Sequence, residues 1–521
     1  VFVGAGSNRA MNTYRSVKTP LFVLTSAILF SGLYSVHIGQ DVNFDLLNYH
    51  FYNGYAFTHG RFGSDILPAG MQTFFNPLPD ILTYSIREIS NPKLAGFFIG
   101  AIHGLNFWFL YLIALLFTRK YAGPSSQVLA LLCAIFGFCG PLQLSEVGTN
   151  FNDNLLSIFI LAGLYFKLRS FDLKKTSIAS AVLFGAAAGI KLTMAPYLIA
   201  AAMSAVLTNY QLNRRFSALK FEFLFAGIGV MLTGGFWYFV LYRHFGNPLF
   251  PFLNSIFHSQ YYYPENMGDS RWGKTILDAI KLPFELLLGS DKHLEQRLRD
   301  ARYLVCIVVG MFFLFRKRKD AKTAQSNYLL TFFAFSLLIW FLEFSYFRFF
   351  IPLEMLTSIL IVLGIAETFP RTQVSMSATC ALIVFLLAFQ WTPNWSKEPW
   401  EKSIFTIDKD SLLKYANSTI LTAQSQPYSF VIPFFPSSTR FIDFQNSLID
   451  FKQPTAFNEE LIETVNDPKI SKFYLLVNRN NTSGVQQIFR KNEFDVCERL
   501  KNSVVPVDLC LFHGRPKITV D

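Results

Sequence analysis

Long apolar runs separated by short polar breaks fill the first three quarters of the chain. Runs of roughly 18 or more apolar residues match the hydrocarbon thickness of a bilayer, and on that criterion about eleven spans are predicted. They fall near residues 19–38, 94–118, 124–140, 153–168, 177–191, 193–210, 221–242, 300–315, 327–346, 349–367 and 374–391. Leu78 to Ile89 is apolar but too short to cross, and is expected to be interfacial or re-entrant. The first run, Leu21 to Val36, follows Arg9, Arg15 and Lys18. With so many apolar runs behind it, it reads as an uncleaved first span rather than a signal peptide. Past residue 394 the pattern changes. Tyr428 to Phe434, Lys472 to Asn478 and Val504 to Phe512 read as strands, and 408–416, 457–465 and 484–491 as helices. The expected fold is a polytopic α-helical membrane protein over residues 1–393 with a small soluble α/β domain over 394–521.

Composition agrees with a membrane protein: of 521 residues, 52% are hydrophobic and only 16% charged, where a soluble domain carries about 25%. The net charge of +11 would suit a nucleic-acid binder, but the basic residues form no continuous stripe, and nucleic-acid binding is set aside on that ground. They sit in short loops: Arg119 and Lys120; Lys167, Arg169, Lys174 and Lys175; Arg214, Arg215 and Lys220; Arg316 to Lys319; and Arg371. With a cytoplasmic N-terminus, all of these fall on the cytoplasmic side. Segments 39–93, 141–152 and 243–298 and the C-terminal region then face outward, with Trp391, Trp395 and Trp400 at the membrane junction. Cys133, Cys139, Cys306 and Cys380 lie in predicted spans and read as apolar fillers. Cys497 and Cys510 lie in the outer domain, where a disulfide suits an oxidising compartment and two free thiols are the alternative.

Outer loops this long and polar are unlike mere connectors. The first opens GQDVNFDLLNYHFYNGYAFTHGRF. If that stretch is helical, Asp41, Asp45, Asn48 and Tyr52 share one face, beside Tyr49 and His50. Carboxylates next to aromatic rings suit a sugar, whose hydroxyls need polar partners and whose ring needs an apolar cover; a membrane-surface amphipathic helix is the plainer alternative. The second loop, SEVGTNFNDNLLSIF, offers Glu146, Asn150 and Asp153. Asp153 opens a span, and reads equally as a helix cap or as a functional acid at membrane depth. Lys191, in GIKLTMAP, either snorkels to the interface or holds a phosphate as a compact charge. Arg348, in SYFRFFIP, is similar, with Glu343 and Glu354 near in sequence as possible ion-pair partners. Arg243, His244 and His258 decorate the third loop as a candidate site wall, and His50, His59 and His103 form no recognisable metal set. The chain has no GxxxxGK[ST], GxGxxG or HExxH motif, which weighs against ATP-driven transport and zinc proteolysis. Nucleotide sugars are not supplied on the outer face, so an activated sugar there has to arrive on a lipid.

The order of these features resembles the GT-C-fold glycosyltransferases, such as protein O-mannosyltransferases and the lipid A aminoarabinose transferase. The shared pattern is a first span, an outer loop with an acid and a downstream Tyr, a short second loop whose acid opens a helix, and G-x-K-x-T at a span's outer end. By that resemblance Asp45 is the first-loop catalytic acid. The family's D-E pair is here DLLNY, with Leu46 in place of the second acid, Tyr49 kept and Asp41 available to compensate. Asp153 corresponds to the second-loop acid, which would orient the acceptor or help bind a divalent cation (Mg or Mn), and Lys191 to the lysine of G-x-K-x-T. Lys191, with Arg348 or Arg243, would hold the donor phosphate; Tyr49, His50, Tyr52, Glu146, Asn150, His244 and His258 would contact substrate. The resemblance implies inverting transfer from a polyprenyl-phosphate sugar to a glycan, lipid or protein acceptor. It further implies a place in the bacterial inner (cytoplasmic) membrane with the C-terminal domain periplasmic. A glycolipid transporter or flippase and a non-catalytic envelope-glycan assembly component are the alternatives. A transporter should show internal repeats, and none is visible.

Overall fold

The computed structural model describes residues 5–121, 125–173, 177–213, 217–267, 274–315, 324–368, 372–422, 427–451, 453, 455–477, 494–501 and 504–516. Lys174, Lys175, Arg214, Arg215, Arg316 to Lys319 and Arg371, and the helix expected over 484–491, lie outside the described residues.

In chain order the early helices are α1 (Ala5–Ile38), α2 (Phe51–Thr58), α3 (Leu78–Ile89), α4 (Pro92–Tyr121), α5 (Ser126–Phe138) and α6 (Pro141–Ser145). Next come α7 (Asn152–Leu173), α8 (Ile178–Ile190), α9 (Ala195–Gln211), α10 (Ser217–Phe245), α11 (Asn254–Phe257) and α12 (Ile276–Leu288). The last are α13 (Arg302–Phe315), α14 (Ala324–Glu343), α15 (Ile351–Thr368), α16 (Thr372–Phe389), α17 (Lys409–Leu412) and α18 (Ala456–Asn466). The chain divides into two units: residues Val1–Ile38, Gly96–Gly235 and Asp269–Trp395 form the first, and Gly39–Ala95, Phe236–Gly268 and Ser396–Asp521 the second.

Among the described residues seven helices are long and apolar enough to cross a membrane: Thr19–Ile38, Pro92–Arg119, Asn152–Phe171, Leu192–Gln211, Leu219–Phe245, Ala324–Glu343 and Phe347–Ile365. The remaining expected spans are the shorter helices α5, α8, α13 and α16, of 13, 13, 14 and 18 residues. Thirteen residues rise only about 20 Å, against a hydrocarbon core of about 30 Å. Within the first unit α15 is the central helix: Leu353, Met355, Leu356, Ile359 and Ile361 are fully buried. Phe22 of α1 and Leu224 and Leu232 of α10 instead point outward, as apolar side chains do where the solvent is lipid. Gly185 and Gly189 of α8 bring that helix against the backbone of Ala226 and Val230 of α10, the close approach that small residues four apart allow.

The second unit is built on a five-stranded mixed sheet. Its strands are β3 (Thr419–Thr422), β4 (Arg440–Asp443), β5 (Phe473–Val477), β6 (Phe494–Leu500) and β7 (Val507–Phe512); β1 (Gln40–Asp41) and β2 (Lys397–Glu398) form a separate antiparallel pair. The sheet order is β4-β3-β5-β7-β6, with β3 parallel to β4 and β5, and β7 antiparallel to β5 and β6. Cys497 and Cys510 are register partners on β6 and β7, with their sulfurs bonded at 2.01 Å. Ile66 adds a parallel bridge beside Ile442 at the β4 edge. Arg61 locks it there: its guanidinium holds Asp65 at 2.6 and 2.8 Å and donates to the Ser437 carbonyl at 3.0 Å, while Asp65 accepts from the Phe441 N–H at 2.9 Å.

Two expectations change. Tyr428 to Phe434 is not a strand: Ser429–Phe434 forms a 3-10 turn. Pro433 removes a ladder donor, and a short buried apolar run does not by itself select a period. Asp41 lies in β1, so Asp41, Asp45, Asn48 and Tyr52 are not one helix face. The intervening Leu46–His50 is a π-helical turn, the wide turn that recurs at functional sites and shifts the spacing of everything after it.

Candidate active site

In the first unit three expected residues meet. Asp153 stands in the first turn of α7, where a negative charge is favoured by the helix dipole. Lys191 ends α8 in an extended conformation, before the 3-10 turn Leu192–Met194 and the Pro196 start of α9. That break turns its side chain toward α7, and its Nζ lies 2.5 Å from Asp153 Oδ1. Arg348 comes from the 3-10 turn Phe347–Phe350, which Tyr197 steadies by donating to the Phe349 carbonyl at 2.6 Å. Its Nε and Nη2 both lie 3.4 Å from Asp153 Oδ2, and its guanidinium stacks 3.8 Å from the centre of the Phe151 ring. Arg348 thus pairs with Asp153, while Glu354 pairs with Arg302. Asp153 spends its carboxylate on two cations. The Asp153 side chain is 1% exposed, Arg348 8% and Lys191 17%, so Lys191 is the group nearest the surface.

Glu354 has a separate task. It pairs with Arg302, which also holds Asp300, and it accepts the N–H groups of Leu142 and Gln143 at 3.0 and 2.8 Å. These bonds fasten the start of the second loop to α15. Trp395 donates to Ser145 at 3.0 Å, and Gly148, at φ +71°, donates its N–H to His103 at 3.2 Å. Glu146 and Asn150 are buried within this loop. Burial first, and then the Asp153 carboxylate, push the Glu146 carboxyl well above the ordinary carboxylate range, while Arg348 and Lys191 pull it down and Glu354 adds to the rise. A Cβ at Gly148 would overlap Ser35 Oγ and lie 2.7 Å from Ser35 Cβ. Gly148→Ala is accordingly expected to cost about 1–3 kcal/mol, read as a lower melting temperature of the detergent-purified protein.

In the second unit Tyr49 donates to Asp45 at 3.2 Å, and Asp45 makes no side-chain capping bond to the turn that follows it. Asp41 accepts from Asn43 Nδ2 at 2.6 Å and faces Arg87 at 3.7 Å. Its strand partner is Lys397, a residue unremarkable in sequence, whose ammonium is brought down to about 8 by burial, with Asp41 opposing and Arg87 adding. His50 Nδ1 is 2.6 Å from Asp80 Oδ1. The Tyr52 hydroxyl donates to Asp65 at 2.9 Å and so belongs to the Arg61 anchor. Arg243 and His244 are exposed in the last turn of α10, with His244 Nδ1 3.0 Å from the Val240 carbonyl, and His258 is exposed after α11.

A divalent cation needs several convergent oxygen ligands. Asp153 instead faces a lysine and an arginine, and among the described residues no group of three or more His, Cys, Asp or Glu is placed to hold a metal ion. The donor set at Asp153 does not fit a metal, and no step is derived through one.

No protein-family model matches the chain, and no curated protein matches it significantly. Solved structures do. ArnT from Cupriavidus metallidurans, crystallised bound to undecaprenyl phosphate, is 9% identical over 95% of this chain and 97% of its own, with a TM-score of 0.53. The apo oligosaccharyltransferase of Archaeoglobus fulgidus is 12% identical over 95% of this chain and 76% of its own, with a TM-score of 0.42, too loose a likeness to weigh further. At such low identity the ArnT likeness speaks for the fold alone, and it spans nearly all of both chains: this is a multi-pass membrane protein with a fold like that of ArnT.

Proposed function

We propose that the chain is a membrane glycosyltransferase that moves a sugar from a polyprenyl-phosphate donor to a glycan, lipid or protein acceptor. The observation that carries this reading is the pairing of Lys191 and Arg348 on one buried carboxylate at the ends of apolar helices. Two cations gathered at one acid, at the ends of apolar helices, suit the phosphate of a lipid-borne donor. The fold supports the reading, as does undecaprenyl phosphate in the ArnT crystal.

In the proposed reaction Asp45 removes the proton from an acceptor hydroxyl. The hydroxyl oxygen attacks the anomeric carbon, the bond from that carbon to the phosphate oxygen breaks with inversion, and its electron pair leaves on the phosphate. Lys191 and Arg348 neutralise the charge that develops there. Asp153 holds both cations in place; Tyr49 orients Asp45. Arg243, His50, Asn150, His244 and His258 are assigned to the periphery of donor and acceptor binding, and Tyr52 to holding the first segment in place. The protein is placed in a bacterial inner membrane with residues 394–521 on the periplasmic face. The test is mass spectrometry of envelope glycans and polyprenyl-phosphate sugars in cells with and without the protein. Loss of one sugar with build-up of its lipid-linked form is the expected result; unchanged glycans and donor pools would remove the proposal.

A further inference from the structure

Gln143 and Glu146 are three residues apart, the spacing that puts two side chains on one face of a helical turn. Both are fully buried. Their backbone is clamped: Gln143 N–H donates to Glu354 at 2.8 Å, its carbonyl accepts from Asn154 Nδ2 at 3.3 Å, and Trp395 holds the intervening Ser145 at 3.0 Å. Their side chains are the reverse. Among the described residues Gln143 Nε2 and Oε1 and Glu146 Oε1 and Oε2 meet no hydrogen-bond partner. Four such atoms on one turn are costly, because an unmade buried hydrogen bond loses more than a made one gains. Folds retain such groups where a ligand or water completes them. The indole that holds Ser145 lies 5.9 Å from the Arg348 guanidinium, which also covers the Phe151 ring at 3.8 Å, so the turn adjoins the cations assigned to the donor phosphate.

We infer that Gln143 and Glu146 form the subsite for the donor's sugar ring, and that it takes neutral hydroxyls. An amide and an un-ionised carboxyl each offer both a donor and an acceptor, as a sugar hydroxyl does. The raised affinity of Glu146 for its proton agrees with the un-ionised form. Gln143 carries no charge and lies outside the carboxylates that the chemistry requires; it acts as a specificity residue through direct contact with the sugar.

The inference rests on the transferase reading, and the experiment separates the two. The full chain in detergent is titrated with undecaprenyl phosphate and, separately, with undecaprenyl phosphate carrying one glucose. Gln143→Leu is expected to weaken binding of the glucosylated lipid about tenfold, since a site built for hydroxyls suffers when its partner is removed; binding of the bare lipid should stay within about twofold. Glu146→Leu should weaken the glucosylated lipid as Gln143→Leu does, and Glu146→Gln, a neutral hydrogen-bonding isostere, should recover most of that loss. Equal loss for both lipids in a normally melting Gln143→Leu protein, or no loss for either, overturns the sugar subsite while leaving the transferase reading intact. Selective loss of the glucosylated lipid in Glu146→Gln overturns the neutral-hydroxyl assignment. Wild-type protein that binds neither lipid overturns the transferase reading and this inference with it.

Discussion

Replacing Lys191 by methionine is expected to slow sugar transfer about 100- to 1,000-fold, the cost typical of deleting one preorganised charge or donor aimed at a developing anion. Methionine keeps the length and apolar character of the lysine stem, so packing against the Phe349 ring, 4.9 Å from the ammonium, is largely preserved. Asp153 retains Arg348 at 3.4 Å as a counter-charge, so the protein should still fold and insert. The phosphate is charged in the bound donor and more so as the sugar departs, and both kcat and KM should respond. The measurement is the initial rate of undecaprenyl-phosphate release by reconstituted protein, with its melting temperature as a folding control. Wild-type rates in a well-folded Lys191→Met protein would move the phosphate site elsewhere.

For Asp45→Asn the expectation is a loss of about 100- to 10,000-fold, the usual contribution of a positioned general base. Asparagine keeps a side-chain carbonyl oxygen where Tyr49 donates at 3.2 Å, so the π-helical turn Leu46–His50 should be undisturbed. What disappears is the ability to take a proton. The loss should therefore fall on kcat, with donor binding near the wild-type level, in contrast to Lys191→Met. Transfer at the wild-type rate would remove the base assignment and return Asp45 to a structural part with Tyr49.

Much of this protein was legible in sequence for a local reason. Apolar run length against bilayer thickness is a property of consecutive residues, and it located the seven long helices without any knowledge of packing. Helix breaks are local too, which is why Asp153 at a helix start and Lys191 at a helix end stood out. Burial without period is the weak point of such reading: Tyr428 to Phe434 has the composition of a strand, yet Pro433 and packing make it a 3-10 turn. The strands β3 and β4, four residues each, left too little pattern to see.

Pairing between distant segments was decided only by the tertiary structure. Arg348 reaches Asp153 across 195 residues of sequence, and Arg302, deep in the first unit, claims Glu354 in its place. The second unit gathers Gly39–Ala95 and Phe236–Gly268 around the sheet of Ser396–Asp521, with Ile66 bridging to Ile442. Gln143 carried no signal at all in sequence. Its significance lies in having its backbone fully engaged and its buried amide unpaired. The bilayer's demand on hydrophobic length acts on each stretch of chain alone and so is written in sequence; the choice of ion-pair partners, and the groups left without them, depends on which segments the fold brings into contact.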